Sequence, residues 1–404
     1  MLVKAIVPFL AVSLFALSGC PAGRAPLRAR VDSLVIAAGR PAGPVSLLRS
    51  GGLLFAVFSD SETTSLAVSE IPIGPTLAPT VAPPRLIDKI DTAPPASPWS
   101  GEHACAASGG SVSILYLDRE REDKSVLKLA TRTAGAVAAV GAVAAVGAVG
   151  AVAAVGAVAA VGAVAAVGAV AAVGAVQWRL DILEPAGRPV ALLVLPDGRL
   201  ASLWAPGPLL LRAGSASPET LLEVFQPGSR ALEFTAGDTR GFTVFDEASR
   251  QLLWYSWTAG APSRGVVADA GAVQAPTLDL SETGAPRLAV ASYDSSRRRI
   301  YLFQQTQDPQ RFTRVTVTMA LGTTALFCAP WAGGHLFLYD ETRPLGRGKA
   351  ASELSLLEPD GARYRKQVLS TGSAPLLSVS AVLVDRVLYI LALRQDLALM
   401  RVEL

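Results

Sequence analysis

"LAVASYDSSRRRIYLFQQ", residues 288–305, contains a whole hairpin in eighteen residues. Apolar and small residues lead up to Asp294, polar residues follow, and "IYLFQQ" returns to strand-forming side chains. Val, Leu, Ile, Tyr and Phe in short runs mark strands, and a cluster of Asp, Ser and Arg between two such runs marks the turn that joins them. The unit recurs. "LLFAVFSDSETTSLAVSE" (53–70), "VSILYLDREREDKSVLKLAT" (112–131), "FTVFDEASRQLLWYSW" (242–257) and "HLFLYDETRPLGRGKAASELSLLEP" (335–359) are four more copies. Two weaker ones, "GRLASLWAPGPLLLRA" (198–213) and "VLYILALRQDLALMRVEL" (387–404), bring the number to seven.

Once a Gly/Ala/Val segment is removed, the copies are spaced by about 45 residues, the length of a four-stranded propeller blade. Helical periodicity is almost absent outside that segment, so the chain is expected to be all-β. The seventh copy stops after its third strand, whereas "RARVDSLVIAA" (28–38) is a strand-like segment with no partner ahead of the first copy. An N-terminal strand that completes the last blade would close the ring and remove two open sheet edges. The expected fold is a seven-bladed β-propeller over residues 28–404. Six or eight blades are the near alternatives, and a pair of β-sandwiches is the distant one.

The Gly/Ala/Val segment occupies residues 135–176 without a polar side chain. A single membrane crossing would strand two parts of one blade on opposite sides of a bilayer. A left-handed β-helix would have about two coils, fewer than the roughly three repeats that stability needs. As an α-helix, valine at every third residue drifts round the axis and forms no stripe. The flanks "VLKLATR" and "QWRLDIL" fit the third and fourth strands of the second blade. The segment is therefore expected to be a loop insertion, where each doubling of length costs only about 0.6 kcal/mol of closure entropy.

The N-terminus carries Lys4, the apolar run "AIVPFLAVSLFAL" and small residues before Cys20, the pattern of an export signal over residues 1–19. The junction "LSGC" (17–20) resembles the bacterial lipoprotein lipobox. That resemblance implies that Cys20 is lipidated and starts the mature chain, with residues 20–27 as a linker and the membrane as a partner through the lipid. Pro21 at the second mature position favours the outer membrane of the cell envelope over the inner.

The 51% hydrophobic content is inflated by the signal and the insertion, and the net charge of +3 is spread along the chain, so nucleic acid is not an expected partner. Two histidines and two cysteines besides Cys20 give no zinc-type spacing, and GxSxG and phosphate-loop motifs are absent. No metal, cofactor or catalytic residue is assigned. Cys105 and Cys328 fall at matching places in blades two and six, on innermost strands too far apart for a disulfide, and are expected to be free thiols. Trp204, Trp254, Trp257, Trp331, His103 and His335 fit blade packing better than ligand contact.

The whole pattern is similar to the divergent propellers related to bacterial neuraminidase repeats. The sialidase Asp-box, S-x-D-x-G-x-x-W, does not occur, and "SYDSSRRRIY" is only its shadow. No arginine triad, tyrosine nucleophile or carboxylate pair can be assigned, so sialidase catalysis is not carried over. The recurring aspartates Asp60, Asp118, Asp246, Asp294 and Asp340 would lie at second-to-third-strand turns on one face. They are the candidate binding residues for cations or sugar hydroxyls, although aspartate also caps such turns by bonding its own backbone. Two function classes follow. One is a lipid-anchored, non-catalytic binding or scaffolding platform with a protein or glycan partner, and the other is a carbohydrate-active propeller enzyme.

Overall fold

The computed structural model describes residues 30–38, 41–60, 65–77, 85–89, 102–108, 111–121, 124–132, 178–183, 187–225, 230–236, 238–258, 263–280, 286–346, 349–361 and 363–404. The expected signal (1–19), Cys20 with its linker (20–27) and the insertion (135–176) lie outside the described residues.

Among the described residues, 28 strands form seven four-stranded antiparallel sheets. Blades 1 to 6 take residues 41–89, 103–183, 188–222, 230–267, 273–319 and 326–372, each in simple up-and-down order. The seventh blade joins Ser378–Val384, Val387–Leu393 and Leu397–Glu403 to the N-terminal strand Val31–Ala37. That strand pairs with the C-terminal one from Val31↔Val402 to Ala37↔Leu397, so the ring closes as the sequence leads one to expect. Asp32 and Arg401 are partners in this ladder and stand 3.8 Å apart at Oδ2 and Nη1.

The first strand of each blade touches the first strands of both neighbours, which places these seven strands round the axis. Because strands within a blade alternate in direction, second-to-third-strand turns and blade-to-blade connections emerge on one face, here called the upper face. First-to-second and third-to-fourth turns emerge on the lower face.

The core sits between the blades. Successive side chains of a strand point to opposite faces of its sheet, and the seven apolar clusters correspond to the seven blade interfaces. In blade 1, Leu54, Ala56 and Phe58 pack on Leu391 and Leu393 of blade 7. The alternate residues Phe55 and Val57 pack on Ile114 and Tyr116 of blade 2. In blade 5, Leu288 and Val290 meet Phe245 and Trp254, whereas Ala289, Ala291 and Tyr293 meet Phe337 and Tyr339. A fully buried side chain such as Phe242 or Leu391 contributes about 1.5–3 kcal/mol.

Arginines reinforce the interfaces. Arg132 of blade 2 binds Glu70 of blade 1 and lies 5.4 Å from the Phe55 ring centroid. Arg394 of blade 7 donates to the Ser352 carbonyl of blade 6 at 3.0 Å and to the Ala374 carbonyl at 2.6 Å.

Around the axis, each first strand is a sheet edge whose N–H and C=O groups need blunting. Proline lies inside four of these seven strands, as Pro44, Pro189, Pro276 and Pro330, which an edge tolerates because the missing donor has no ladder to serve. Neighbouring blades satisfy further edge donors. Val45 N–H donates to Ser378 Oγ at 3.0 Å, Leu47 N–H to Ser380 Oγ at 2.9 Å and Leu192 N–H to Glu233 Oε1 at 2.9 Å. Cys105 and Cys328 are on the first strands of blades 2 and 6, both buried and both free.

The strands that flank the insertion pair from Leu127↔Leu183 to Thr131↔Arg179 within one blade. Deleting residues 135–176 leaves a short connection between them. The deletion variant is expected to keep the β-type circular dichroism and cooperative melt of the parent and to aggregate less. Loss of the cooperative melt would mean that the segment is part of the fold.

Candidate functional site

The upper face carries the recurring aspartates, and they do not behave alike. Asp246 pairs with Gln251 across a four-residue turn, and its carboxylate accepts from Ala248 N–H at 3.1 Å and Ser249 N–H at 3.3 Å. Asp294 does the same across residues 295–298, with bonds from Ser296 N–H at 2.9 Å, Ser296 Oγ at 2.6 Å and Arg297 N–H at 3.1 Å. Both are turn caps. In each turn the last residue, Arg250 or Arg298, has a left-handed backbone with φ of 54° or 53°. That conformation costs a side-chain-bearing residue about 1–2 kcal/mol.

Asp118 and Asp340 are not at turns, contrary to the expectation from sequence. The second strand of blade 2 continues to Arg121 and that of blade 6 to Gly346, so these hairpins reach beyond their neighbours. Arg121 pairs with Lys124, and Gly346 with Lys349. Asp118 is buried and lies 2.6 Å from Lys128 Nζ. Asp340, 2% exposed, accepts from Thr324 N–H and Ala325 N–H, both at 2.7 Å, and from Thr324 Oγ1 at 2.6 Å. It ties the hairpin to the segment entering blade 6. Asp60, buried, closes its strand opposite Ser65. The five carboxylates stay in separate blades, and among the described residues no group of three or more His, Cys, Asp or Glu is arranged to hold a metal ion.

Between blades 4 and 5 a cleft of about 740 Å³ opens on the upper face, lined in part by Glu247, Arg250, Asp269, Asp294, Ser296 and Arg297. Burial works against ionisation of Asp294, but the bonds from Ser296 and Arg297 prevail and hold its carboxyl below the usual range. Gly271 lets the connection cross here, since a Cβ would collide with the Tyr293 carbonyl oxygen.

The axial channel has a different character. A cavity of about 320 Å³ is lined mainly by apolar groups, among them Leu47, Leu232, Pro276 and Val379, with one carboxyl, Glu233. Glu233 is half-buried by surface because the cavity lies against it, yet burial pushes its carboxyl up to about 8, with the bond from Leu192 N–H opposing. It is therefore largely neutral at pH 7. Burial likewise raises both thiols, with the Ser46 bond opposing this at Cys105 and the charge of Asp279 adding to it at Cys328. The sequence implied a channel but did not single out Glu233. The one available signal was a glutamate between two apolar residues in "ALEFTA" (231–236).

Trp204, Trp254 and Trp257 are buried in blade interfaces, and Trp331 is half-buried. His335 is buried with Nε2 2.9 Å from Asp279 Oδ2 of the adjoining blade, and His103 opens the first strand of blade 2.

No protein-family model and no curated protein matches the chain. Among solved structures it is similar to an ancestral GH74 enzyme, at 7% identity and a TM-score of 0.50 over 93% of this chain and 51% of that one. It is also similar to YCF48 bound to a D1 peptide (10% identity, TM-score 0.49, 93% and 95% covered). The WD40 domain of Toxoplasma gondii coronin matches at 12% identity and a TM-score of 0.45, over 93% of this chain and 86% of that one. The likeness is one of fold. The chain spans about half the length of the GH74 enzyme, and these structures include both an enzyme and a protein bound to a peptide.

Asp340 and Asp246 should separate in stability. Asp340→Ala removes from a buried carboxylate three hydrogen bonds, two to backbone N–H groups and one to a hydroxyl, and is expected to cost about 1.5–3 kcal/mol, against about 1 kcal/mol for Asp246→Ala, measured by denaturant unfolding. Glu233 predicts a pH dependence. Its carboxyl binds a proton more tightly in the folded chain than at its ordinary value of 4.5, so its contribution to stability falls as pH rises from about 4.5 through about 8. Glu233→Gln should therefore melt higher than the wild type at pH 8.5, with the gap closing towards pH 4.

Proposed function

We propose that this protein is an exported, lipid-anchored binding platform whose upper face receives a macromolecular partner and carries out no catalysis. The main support is the concentration of relief on that face. The long blade 6 hairpin, with strands Gly334–Gly346 and Lys349–Asp360, rises there beside the blade 4–5 cleft. Loop-built faces on a rigid ring are well suited to partner recognition.

Carbohydrate hydrolysis has less support. A glycosidase needs two carboxyls with one kept protonated. Among the described residues Glu233, the carboxyl raised to about 8, is the only acid lining its cavity, while Asp294, one of three acids in the cleft with Glu247 and Asp269, is held ionised. Export and the anchor rest on the "LSGC" junction at Cys20.

A photo-crosslinking amino acid placed at Thr342, exposed on the rising hairpin, tests the platform in cells. The control is Asp197 in the lower-face turn of blade 3. Discrete adducts from position 342 and none from 197 are expected, and labelled palmitate should mark the wild type but not Cys20→Ser. Identical crosslinking patterns at the two positions would remove the upper-face assignment, and equal lipid labelling would remove the anchor.

A further inference from the structure

The axial cavity has one acidic side chain in its wall, and only half of its carboxyl is used by the fold. Glu233 lies in the first strand of blade 4, and its Oε1 accepts from Leu192 N–H of blade 3 at 2.9 Å. Its Oε2 has no donor among the described residues. Nor is that oxygen sealed among packed side chains, because Glu233 is only half-buried and the cavity lies against it. One carboxyl oxygen is thus free to meet a molecule in the cavity.

The rest of the wall restricts what that molecule can be. Leu47, Leu232, Phe327 and Val379 give it an apolar surface, and among the described residues no Lys, Arg or His lines the cavity. An anion would enter without a countercharge. The volume of about 320 Å³ is at the lower end of the range for small-molecule pockets. A smaller cavity of about 200 Å³ adjoins it at Leu232, Ala325, Leu326 and Val379. It reaches Ala272 and Leu377, each just before the start of a first strand, so entry is from the upper face.

We propose that the axial cavity binds a small organic ammonium ion, with the Glu233 carboxylate as its counterion and the apolar body of the ligand against Leu47, Phe327 and Val379. The ammonium supplies the donor that Oε2 lacks. In a water-poor site the attraction between the two charges is far stronger than in water. The site lies inside the ring and is independent of any partner on the upper face.

Binding is coupled to a proton. Burial raises the carboxyl to about 8, and the ammonium pairs with its ionised form, so the carboxyl proton leaves to solvent while the ligand keeps its own. At pH 7 about a tenth of the carboxyls are ionised, which lowers the apparent affinity by about tenfold. No charged side chain on the strands packed against that of Glu233, Arg188–Val194, Thr239–Asp246 and Val273–Leu280, shifts it. Cys328 and Tyr339 in the wall, and Cys105, which feels the charge of Glu233, are raised by burial and stay neutral at pH 7.

The probe is phenethylamine, titrated into the intact protein by calorimetry. Its ammonium, like that of lysine, stays charged from pH 6 to pH 8. Saturable one-to-one binding is expected at pH 7, with nearly one proton released per molecule bound, read from the heats in buffers of different ionisation enthalpy. Affinity should rise close to tenfold from pH 6 to pH 7 and level off above pH 8. At pH 8 the uncharged 2-phenylethanol should bind at least tenfold more weakly. So should phenethylamine to Glu233→Gln, which keeps an oxygen for Leu192 N–H but carries no charge. Should that variant fail to fold, proton release and the alcohol comparison on the wild type decide. Absence of saturable binding, equal binding of the alcohol, binding without proton release, or unchanged binding by folded Glu233→Gln would each overturn the proposal.

Discussion

Every blade of this protein depends on being covered on both faces. The second strands carry apolar residues at successive positions, as in "LLFAVF" (53–58), so a lone sheet would expose one apolar face whichever way it lay. Linear repeat arrays resolve this with polar capping units at their ends. Here the ring has no ends. Phe58 of blade 1 packs with Leu391 of blade 7, as Phe55 packs with Tyr116 of blade 2, and the closing ladder from Val31 to Ala37 holds this arrangement shut.

The same constraint accounts for how charge is used. Thirty arginines made an arginine triad conceivable from composition, yet buried Arg401 pairs with Asp32 inside blade 7 and others serve the interfaces. Arg132, Arg188 and Arg394 each reach across to a neighbouring blade, to Glu70, Glu102 and the Ser352 carbonyl respectively. Carboxylates follow suit. Asp340 and Glu233 bind backbone N–H groups at blade boundaries. Charges placed in this way order the ring.

The ring and its closure were legible because hairpins are local. A turn aspartate, the alternation on either side and the spacing between copies together carry the architecture. The candidate site was much less so. Asp118 and Asp340 resemble Asp246 in sequence, but whether a strand ends at its aspartate or runs on is decided by cross-strand partners such as Lys124 and Lys349. Glu233 is one of several polar residues in its short strand, Arg230–Ala236. Which of them meets the axis depends on how seven blades are rotated about it, and no local pattern encodes that rotation.

The closing strand also orders events in time. Val31–Ala37 precedes all its neighbours in the sequence, but its partner, Leu397–Glu403, is the last of the 28 described strands. During synthesis six complete blades can assemble while both edges of the seventh remain unpaired, and joining them closes a loop of nearly the whole chain, which makes late assembly slow. Until then the waiting strand can pair equally well with the three-stranded blade of another molecule. At high local concentration, such as lipid attachment to a surface would create, ring closure competes with domain-swapped assembly.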